Sequence, residues 1–459
     1  LPEIQRQVLD PDTLLLEYSL GERRSFLFAV TPTEIQSFVL PGRNEIERQT
    51  KRMLALLEAS GRPQAFKSMA ARRRWERTIQ LLAGPGRARK FKSPAAKQRW
   101  EERVRDDYQR SAALLSRSLL APVGELLSHK RLLIVGDGVL HYLPFAALPE
   151  PAAEASSASS STMRRQGRTA GLPPLVVNHE IAMIPSASTL AVLRQELNGR
   201  PVASKMVAVL ADPVFDRDDE RLTALPREKI PEAPEFQWSV SDRNSAPGGI
   251  SGALFRQSET GPAPDLMIPR LPGSRREAEA IMTLVPETQK MAAFDFDANL
   301  ATARSAELGA YRYLHFATHG LINSERPELS GLVLSLVDRE GNRQPGILRT
   351  QDIYNLKLPV ELVVLSACRT ALGKESGGEG VMGLTRGFFY AGARRVIASL
   401  WMVNDSATAE LMRRFYHELL SEKRLSPAAA LRAAQVSMWR ERKWEAPYYW
   451  AAFTLQGEW

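Results

Sequence analysis

The residues best suited to chemistry in this sequence are one cysteine and one histidine, each placed after an apolar run. Cys368, the single cysteine among 459 residues, follows ELVVLSA, and His319 follows YRYLHFAT. Both runs are typical of buried strands, and sites in parallel sheets form at the carboxyl ends of the strands. The sequence therefore predicts that the thiol and the imidazole meet at one edge of a sheet.

A neighbouring imidazole would make this thiol a nucleophile. A free thiol is only slightly ionised at neutral pH, and an imidazole can take its proton and later protonate a leaving amine. His319 lies 49 residues before Cys368, and a spacing of about 50 is the caspase arrangement. Gly320 has no Cβ, so its N–H and that of Cys368 could together form an oxyanion hole.

Each of these residues also has a simpler interpretation. A lone cysteine is often a small apolar core residue. His315, four residues before His319 and inside the same strand, competes for the role of base but is expected to pack in the core. The turn Gly136-Asp137-Gly138 lacks the remaining residues of a phosphate-binding loop, so Asp137 is predicted to be a turn residue.

Several longer motifs resemble the CHAT domain, the caspase-like peptidase domain named for its association with HetF and TPR repeats. They are HFATHG, LSACRTALG, GEGVMGL, SLWMVNDSAT and YYWAAFTLQG, and upstream LLIVGDGVLHYLPFAALP, ADPVF, LPGSRREAEAI and DPDTLLLEYSLG. The resemblance implies the fold of caspases, gingipains and separase. It also implies a cysteine endopeptidase with His319 as base and Cys368 as nucleophile.

The same resemblance suggests where a substrate side chain would bind. Asp405, in SLWMVNDSAT, lies in a segment similar to the separase region whose acidic residue receives a basic P1 side chain. Alternatively, Asp405 caps the helix that starts there. Glu375 and Glu379, in the glycine-rich loop KESGGEG after Cys368, are further candidates for contact with substrate. Gly377, Gly378 and Gly380 could act as hinges of that loop.

The arrangement of elements predicts an α/β fold. Strands alternate with helices after residue 271, which indicates a mainly parallel sheet with helices on both faces. We expect helices over 380–390 and 406–420, and a third that has Ser426 as its N-cap and Pro427 at its first position. Alternating apolar residues between 13 and 40 predict strands, with a hairpin turn at Gly21-Glu22.

This pattern predicts four segments along the chain. They are N-terminal strands with a basic helical part (1–125), a non-catalytic, pseudo-caspase-like lobe (126–215), a loop or insertion (216–270) and the catalytic caspase-like lobe (271–459). The lobe at 126–215 is inferred from separase-like proteins, in which such a lobe precedes the active one. A further stretch at 150–173 is rich in Ser, Ala, Arg and Gly, which predicts a disordered surface loop.

Most of the net charge of +9 comes from one segment. Between Lys67 and Arg105 there are 13 basic and three acidic residues. Interleaved Arg and aromatic residues could bind nucleic acid, but no nucleic-acid-binding motif accompanies them. A solvated helix face or a docking site for an acidic protein is the simpler interpretation, and nucleic acid is not the expected partner.

Composition limits the remaining possibilities. With 44% apolar and 25% charged residues and no long apolar run, the chain is predicted to be globular, without a membrane span or signal peptide. One cysteine fits a reducing, cytoplasmic location, and no metal or cofactor is expected.

Because the chain lacks an initial Met, we expect a piece of a longer protein with upstream TPR repeats or a regulatory partner. The alternative to a peptidase with a protein substrate is a catalytically silent caspase-like interaction or scaffold module.

Overall fold

The computed structural model describes most of the chain. The described residues are 2–61, 93–128, 130–151, 172–223, 268, 270–323, 330–372, 379–401, 404–423 and 425–459. For Cys368 and Glu379 the backbone alone is described. Most of the basic segment, most of the 150–173 and 216–270 stretches, and Glu375, Gly377 and Gly378 lie outside the described residues. The chain forms two compact units, Leu1–Gly199 with Arg414–Trp459, and Arg200–Arg413.

The first unit contains a mixed sheet. Its strands are β1 (Thr13–Ser19), β2 (Arg24–Val30), β3 (Ile35–Pro41), β4 (Arg131–Val135), β5 (Ile181–Met183) and, near the carboxyl end, β13 (Phe453–Gly457). The spatial order is β13-β5-β4-β1-β2-β3. The first four strands in this order are parallel, and β1, β2 and β3 form an antiparallel meander.

Local chemistry explains the elements of this unit. The predicted hairpin at Gly21-Glu22 joins β1 and β2, and the Asp137 carboxylate accepts a hydrogen bond from the Leu20 amide at 2.7 Å. Asp137 is thus a turn residue that ties this hairpin to β4, as predicted. The helices are α1 (Pro2–Val8), α2 (Arg43–Ser60), α3 (Pro94–Leu119), α4 (Gly124–Leu127), α5 (Ala187–Leu197) and α12 (Pro427–Trp439). Ser426 caps α12 through the Ala429 amide, again as predicted.

The second unit contains a parallel sheet with an antiparallel extension. Its strands are β6 (Lys205–Pro213), β7 (Lys290–Asp295), β8 (Tyr311–Asn323), β9 (Gly331–Val333), β10 (Ile347–Arg349), β11 (Leu362–Leu372) and β12 (Arg395–Ser399). The parallel part has the order β7-β6-β8-β11-β12, while β9 pairs antiparallel with the end of β8 and β10 with β9. The predicted mainly parallel α/β sheet is confirmed.

Helices cover both faces of this second sheet. They are α6 (Glu220–Thr223), α7 (Pro272–Met282), α8 (Leu300–Ala303), α9 (Thr350–Tyr354) and α10 (Glu379–Tyr390), and α11 (Asp405–Leu419) crosses the boundary between the units. Neighbouring side chains of a strand point to opposite faces. On β8, Phe316 packs against Phe388 of α10 with ring centroids 5.8 Å apart, whereas His315 contacts Glu277 of α7.

Three features of the second unit differ from expectation in detail. Strand β6, which the sequence assigned to the lobe at 126–215, pairs with β8. Strands β7, β9 and β10 were not predicted, because short runs such as KMAAFD carry little periodic signal. The strand β8 also continues beyond Gly320 to Asn323, because β9 replaces β6 as its partner there.

Among the described residues, no helix combines the length and the apolar character that a membrane span requires.

Candidate active site

The backbone register brings the two predicted catalytic residues side by side. In the parallel pair β8–β11, Cys368 is the partner of His319, and Arg369 is the partner of Gly320. Partners in adjacent strands are separated only by the spacing between strands, about 4.8 Å. Residues 49 positions apart in sequence are therefore neighbours in the sheet, as their places after two apolar runs predicted.

His319 lies at the point where β8 changes its partner on the other side. Strand β6 follows β8 as far as the pair Ala211–Ala317, and β9 takes over with the pair His319–Val333. Between them, the Thr318 hydroxyl donates a hydrogen bond to the Val333 carbonyl. The site is thus built within a continuous β8–β11 pair where β6 turns away.

The His319 side chain is largely buried, with an exposed fraction of 8%. Its ring packs on that of Phe215, with centroids 5.3 Å apart and an angle of 56° between the planes. Phe215 belongs to an apolar cluster with Leu321, Val333 and Leu336. One side of the imidazole is therefore bounded by hydrocarbon, which restricts the rotation of the ring.

His315 has a different environment, which fits its predicted core role. It is fully buried, and its Nε2 lies 2.9 Å from Oε1 of Glu277, itself 2% exposed. Because four residues separate His315 from His319, both point to the same face of β8. The prediction that His315 packs or bonds in the core is confirmed.

Asp405 is the first residue of α11, but it does not cap that helix. The cap is Asn404, whose side-chain oxygen accepts hydrogen bonds from the amides of Ser406 and Ala407 at 3.0 and 3.1 Å. The interpretation of Asp405 as the cap is therefore wrong. Asp405 instead packs on Gly273 of α7, so closely that a Cβ added to Gly273 would lie 2.4 Å from the Asp405 Cβ.

A network of ion pairs lies where β6 and β7 end. The buried Asp212 carboxylate binds Arg270 through both oxygens, at 2.9 and 2.7 Å. Arg221 donates to the Asp212 carbonyl and to Asp295, each at 2.7 Å. Burial disfavours the charge of Asp295, but hydrogen bonds from Arg221 and Arg275 outweigh it and lower the pKa of this carboxyl.

The other predicted site residues are located by their backbones. Gly320 lies in β8 one residue after His319, and Glu379 is the first residue of α10. Pairing of β8 and β11 continues to Asn323 and Leu372, so Gly320 and Cys368 both lie inside the paired stretch. Their amides as an oxyanion hole, and Glu379 as a substrate contact, remain predictions.

Sequence analysis missed Phe215 and Glu277 as parts of this site. Both lie in motifs that carried the family resemblance, ADPVF and LPGSRREAEAI. Phenylalanine has no reactive group, and Glu277 is one of two acidic residues in its motif. Only the turn after β6 and the packing of α7 bring the two residues to β8. A search of those two motifs for residues facing the strand of His319 could have found them.

Comparisons with known proteins support the resemblance found in the sequence. Tetratricopeptide repeat protein 28 of Homo sapiens is 26% identical over 368 residues, which is 76% of this chain and 13% of that protein. The mouse protein of the same name is 36% identical over 111 residues, 24% of this chain and 4% of that protein. The chain thus spans about an eighth of the human relative.

Two solved structures give distant alignments. The Saccharomyces cerevisiae separase–securin complex aligns with a TM-score of 0.47 and 12% identity, over 99% of this chain and 30% of that chain. The Arg-specific cysteine proteinase gingipain R aligns with a TM-score of 0.36 and 10% identity, over 77% and 67%. The CHAT domain model matches residues 109–458, about three quarters of the chain, and the chain therefore belongs to the CHAT domain family.

Proposed function

We propose that this chain is a cysteine endopeptidase that cleaves a protein substrate with Cys368 as nucleophile and His319 as base. The observation that carries the proposal is the pairing of these two residues in register on adjacent parallel strands. The buried, ring-packed position of His319 adds to it, because a base in a fixed orientation loses little freedom in the reaction.

The reaction follows from these two groups. His319 takes the proton of the Cys368 thiol, and the thiolate attacks the carbonyl carbon of the peptide bond. The amides of Gly320 and Cys368 would bind the oxygen that becomes negative. The imidazolium then protonates the leaving amine, which leaves a thioester. Water, deprotonated by His319, hydrolyses the thioester and restores the thiol.

We also propose that Asp405 receives a basic P1 side chain. The carboxylate follows β12 and is half-buried, and its role as a cap is taken by Asn404. Among the described residues, no salt bridge engages it, unlike Asp212 or Asp295. A half-buried carboxylate of this kind favours Arg over an apolar side chain. Glu379 is proposed as a second acidic contact.

The first test is labelling of Cys368 by a thiol-reactive peptide probe. Wild type should react, Cys368→Ala should not, and His319→Ala should react much more slowly at neutral pH. His417→Ala is the control, because His417 is an exposed histidine of α11 to which the proposed reaction gives no role. Equal rates and equal pH dependence for His319→Ala and wild type would contradict the dyad.

The second test is a P1 profile on a diverse peptide library. Cleavage after Arg or Lys that disappears in Cys368→Ala would support both the peptidase and the acidic pocket. Asp405→Ala should then reduce cleavage after Arg far more than cleavage after apolar residues. Asp297→Ala, which removes an exposed carboxylate of the same unit, should reduce neither. Equal losses at Arg and apolar residues would contradict the P1 role of Asp405.

The remaining proposals concern the whole protein. The relatives are named for tetratricopeptide repeats, which supports such repeats upstream and regulation within a longer protein. A cytoplasmic location is proposed from the single cysteine alone. The non-catalytic lobe is still proposed for residues 126–215, a stretch that contains no cysteine. If neither this chain nor the full-length protein reacts with any probe or peptide, the chain is an interaction module instead.

A further inference from the structure

Phe215 packs on the proposed base but takes part in no step of the proposed reaction. Its side chain is 6% exposed and lies against the imidazole of His319, with ring centroids 5.3 Å apart. The terminal torsion of a histidine side chain has broad, roughly two-fold preferences. A ring packed on one face of the imidazole removes much of this freedom and also excludes water from that face.

The backbone that leads from Asp212 to Phe215 is held by its conformation and by hydrogen bonds. Asp212 adopts a left-handed backbone conformation with φ of 50°, which a non-glycine residue rarely adopts. Two residues later, the Val214 amide donates to the Ser335 hydroxyl at 3.0 Å, and the Val214 carbonyl accepts from the Leu336 amide at 2.9 Å. This path turns the chain away from β8 after Ala211 and then returns Phe215 to His319.

Ion pairs hold the turn at Asp212. Both carboxylate oxygens bind Arg270, and the Asp212 carbonyl accepts from Arg221. The hydrogen bond to Asp212 raises the pKa of the Arg270 guanidinium. A bidentate pair with a buried carboxylate has a defined geometry, and here it fixes the strained residue from which the path to Phe215 starts.

We propose that Phe215 is a positioning residue for His319, and that the Asp212–Arg270 pair holds Phe215 in place. The proposal rests on the proposed function, since it assigns Phe215 the task of orienting the base toward Cys368. Phe215 has no group that can take or give a proton, so it takes no part in the bond changes of the proposed reaction. Its effect is on the geometry of the imidazole, where a displacement of about 1 Å can cost roughly 100-fold in rate.

Phe296 provides a matched control. It is 9% exposed and packs with Val214 and Val337, so it resembles Phe215 in type and burial, whereas the ring contact with His319 belongs to Phe215. We expect Phe215→Leu to lower kcat by roughly 10- to 100-fold with little change in KM. Phe296→Leu should leave both close to wild type.

A spectroscopic measurement tests the ring contact without relying on activity. In protein with labelled histidine and with Cys368→Ala, the His319 ring proton resonance carries the ring current of Phe215. Phe215→Leu should move this resonance, assigned by its loss in His319→Ala, whereas Phe296→Leu should not. Asp212→Asn should move it in the same direction by a smaller amount. If Phe215→Leu fails to fold, Phe215→Met replaces it.

The two proposals fail in different ways. If wild type is active and Phe215→Leu matches Phe296→Leu in both kcat and the His319 resonance, the positioning role is overturned. If no cysteine-dependent cleavage occurs in wild type, the peptidase proposal is overturned, and the positioning role falls with it even where the ring contact is seen.

Discussion

The two halves of strand β8 present the same residue type to the same face in opposite environments. In the first half, between the parallel strands β6 and β11, His315 is fully buried against the carboxylate of Glu277. In the second half, where β9 replaces β6, His319 packs on the ring of Phe215 and pairs in register with Cys368.

The two histidines differ in the side chain that each one contacts, a carboxylate for His315 and an aromatic ring for His319. The buried carboxylate 2.9 Å from His315 limits the positions that this imidazole can take, and such a pair serves packing and strand position. A base must gain and lose a proton in each cycle. An aromatic ring fixes the orientation of His319 without supplying a charge that would hold the proton. The change of partner strand thus gives two histidines of one face different surroundings, and the surroundings of His319 are those that the proposed catalytic role requires.

The largest expected effect separates the two histidines directly. His319→Ala should reduce peptide cleavage by about 10²- to 10⁴-fold, because it removes the general base. In His315→Phe, any loss should follow the loss of folded protein, since His315 has no role in proton transfer. The measurement is kcat/KM for a fluorogenic peptide, corrected for the folded fraction by circular dichroism.

Cys368→Ala sets the background for this comparison, because it removes the nucleophile and should abolish turnover. A folded His315→Phe protein with as large a loss as His319→Ala would contradict the division of roles between the two halves of β8.

The second effect concerns the buried pair itself. Glu277→Ala should lower the free energy of unfolding by about 3–5 kcal/mol, because it leaves the buried His315 without its carboxylate. The double variant Glu277→Leu/His315→Leu should recover part of this loss, since apolar replacements of buried pairs are often tolerated. Urea unfolding followed by tryptophan fluorescence measures both.

The control is Glu279→Ala on the same helix, α7. The Glu279 carboxylate is exposed and pairs with Arg275, so its loss should cost less than about 1 kcal/mol. Similar losses for Glu277→Ala and Glu279→Ala would mean that the buried contact contributes little to stability.

The sequence predicted the individual strands and helices better than it predicted the contacts between them. Long periodic or apolar runs identified β8, β11, α10 and α12, and the places of His319 and Cys368 after two such runs predicted that these residues meet. The contacts of Phe215 and Glu277 could not be predicted, because they depend on the turn after β6 and on the side of the sheet that α7 covers. Similarly, the sequence offered Asp405 as the cap, and the geometry assigned that role to Asn404, one residue earlier.

The third effect tests the packing of the first turn of α7 against Asp405. In Gly273→Ala the new Cβ would lie 2.4 Å from the Cβ of Asp405, so either α7 or α11 must shift. We expect a loss of about 1–3 kcal/mol, as for other overpacked sites. Gly124→Ala is the control, because nothing lies within 4 Å of a Cβ added there. If both variants unfold at the same urea concentration, the close approach of Asp405 to α7 is not maintained in solution.

The smallest effect concerns the ion pairs that lie where β6 and β7 end. The pKa of Asp295 is lowered from its ordinary value of 3.8, because hydrogen bonds from Arg221 and Arg275 outweigh its burial. A lowered folded-state pKa gives stability that is present above the ordinary value and is lost as pH falls through the folded value. Asp295→Asn keeps a residue that tolerates the left-handed conformation at this position. The melting temperatures of wild type and variant should therefore differ near neutral pH and converge below about pH 3.8. An equal difference at neutral and acidic pH would show that the Asp295 charge is not what stabilises this edge of the sheet.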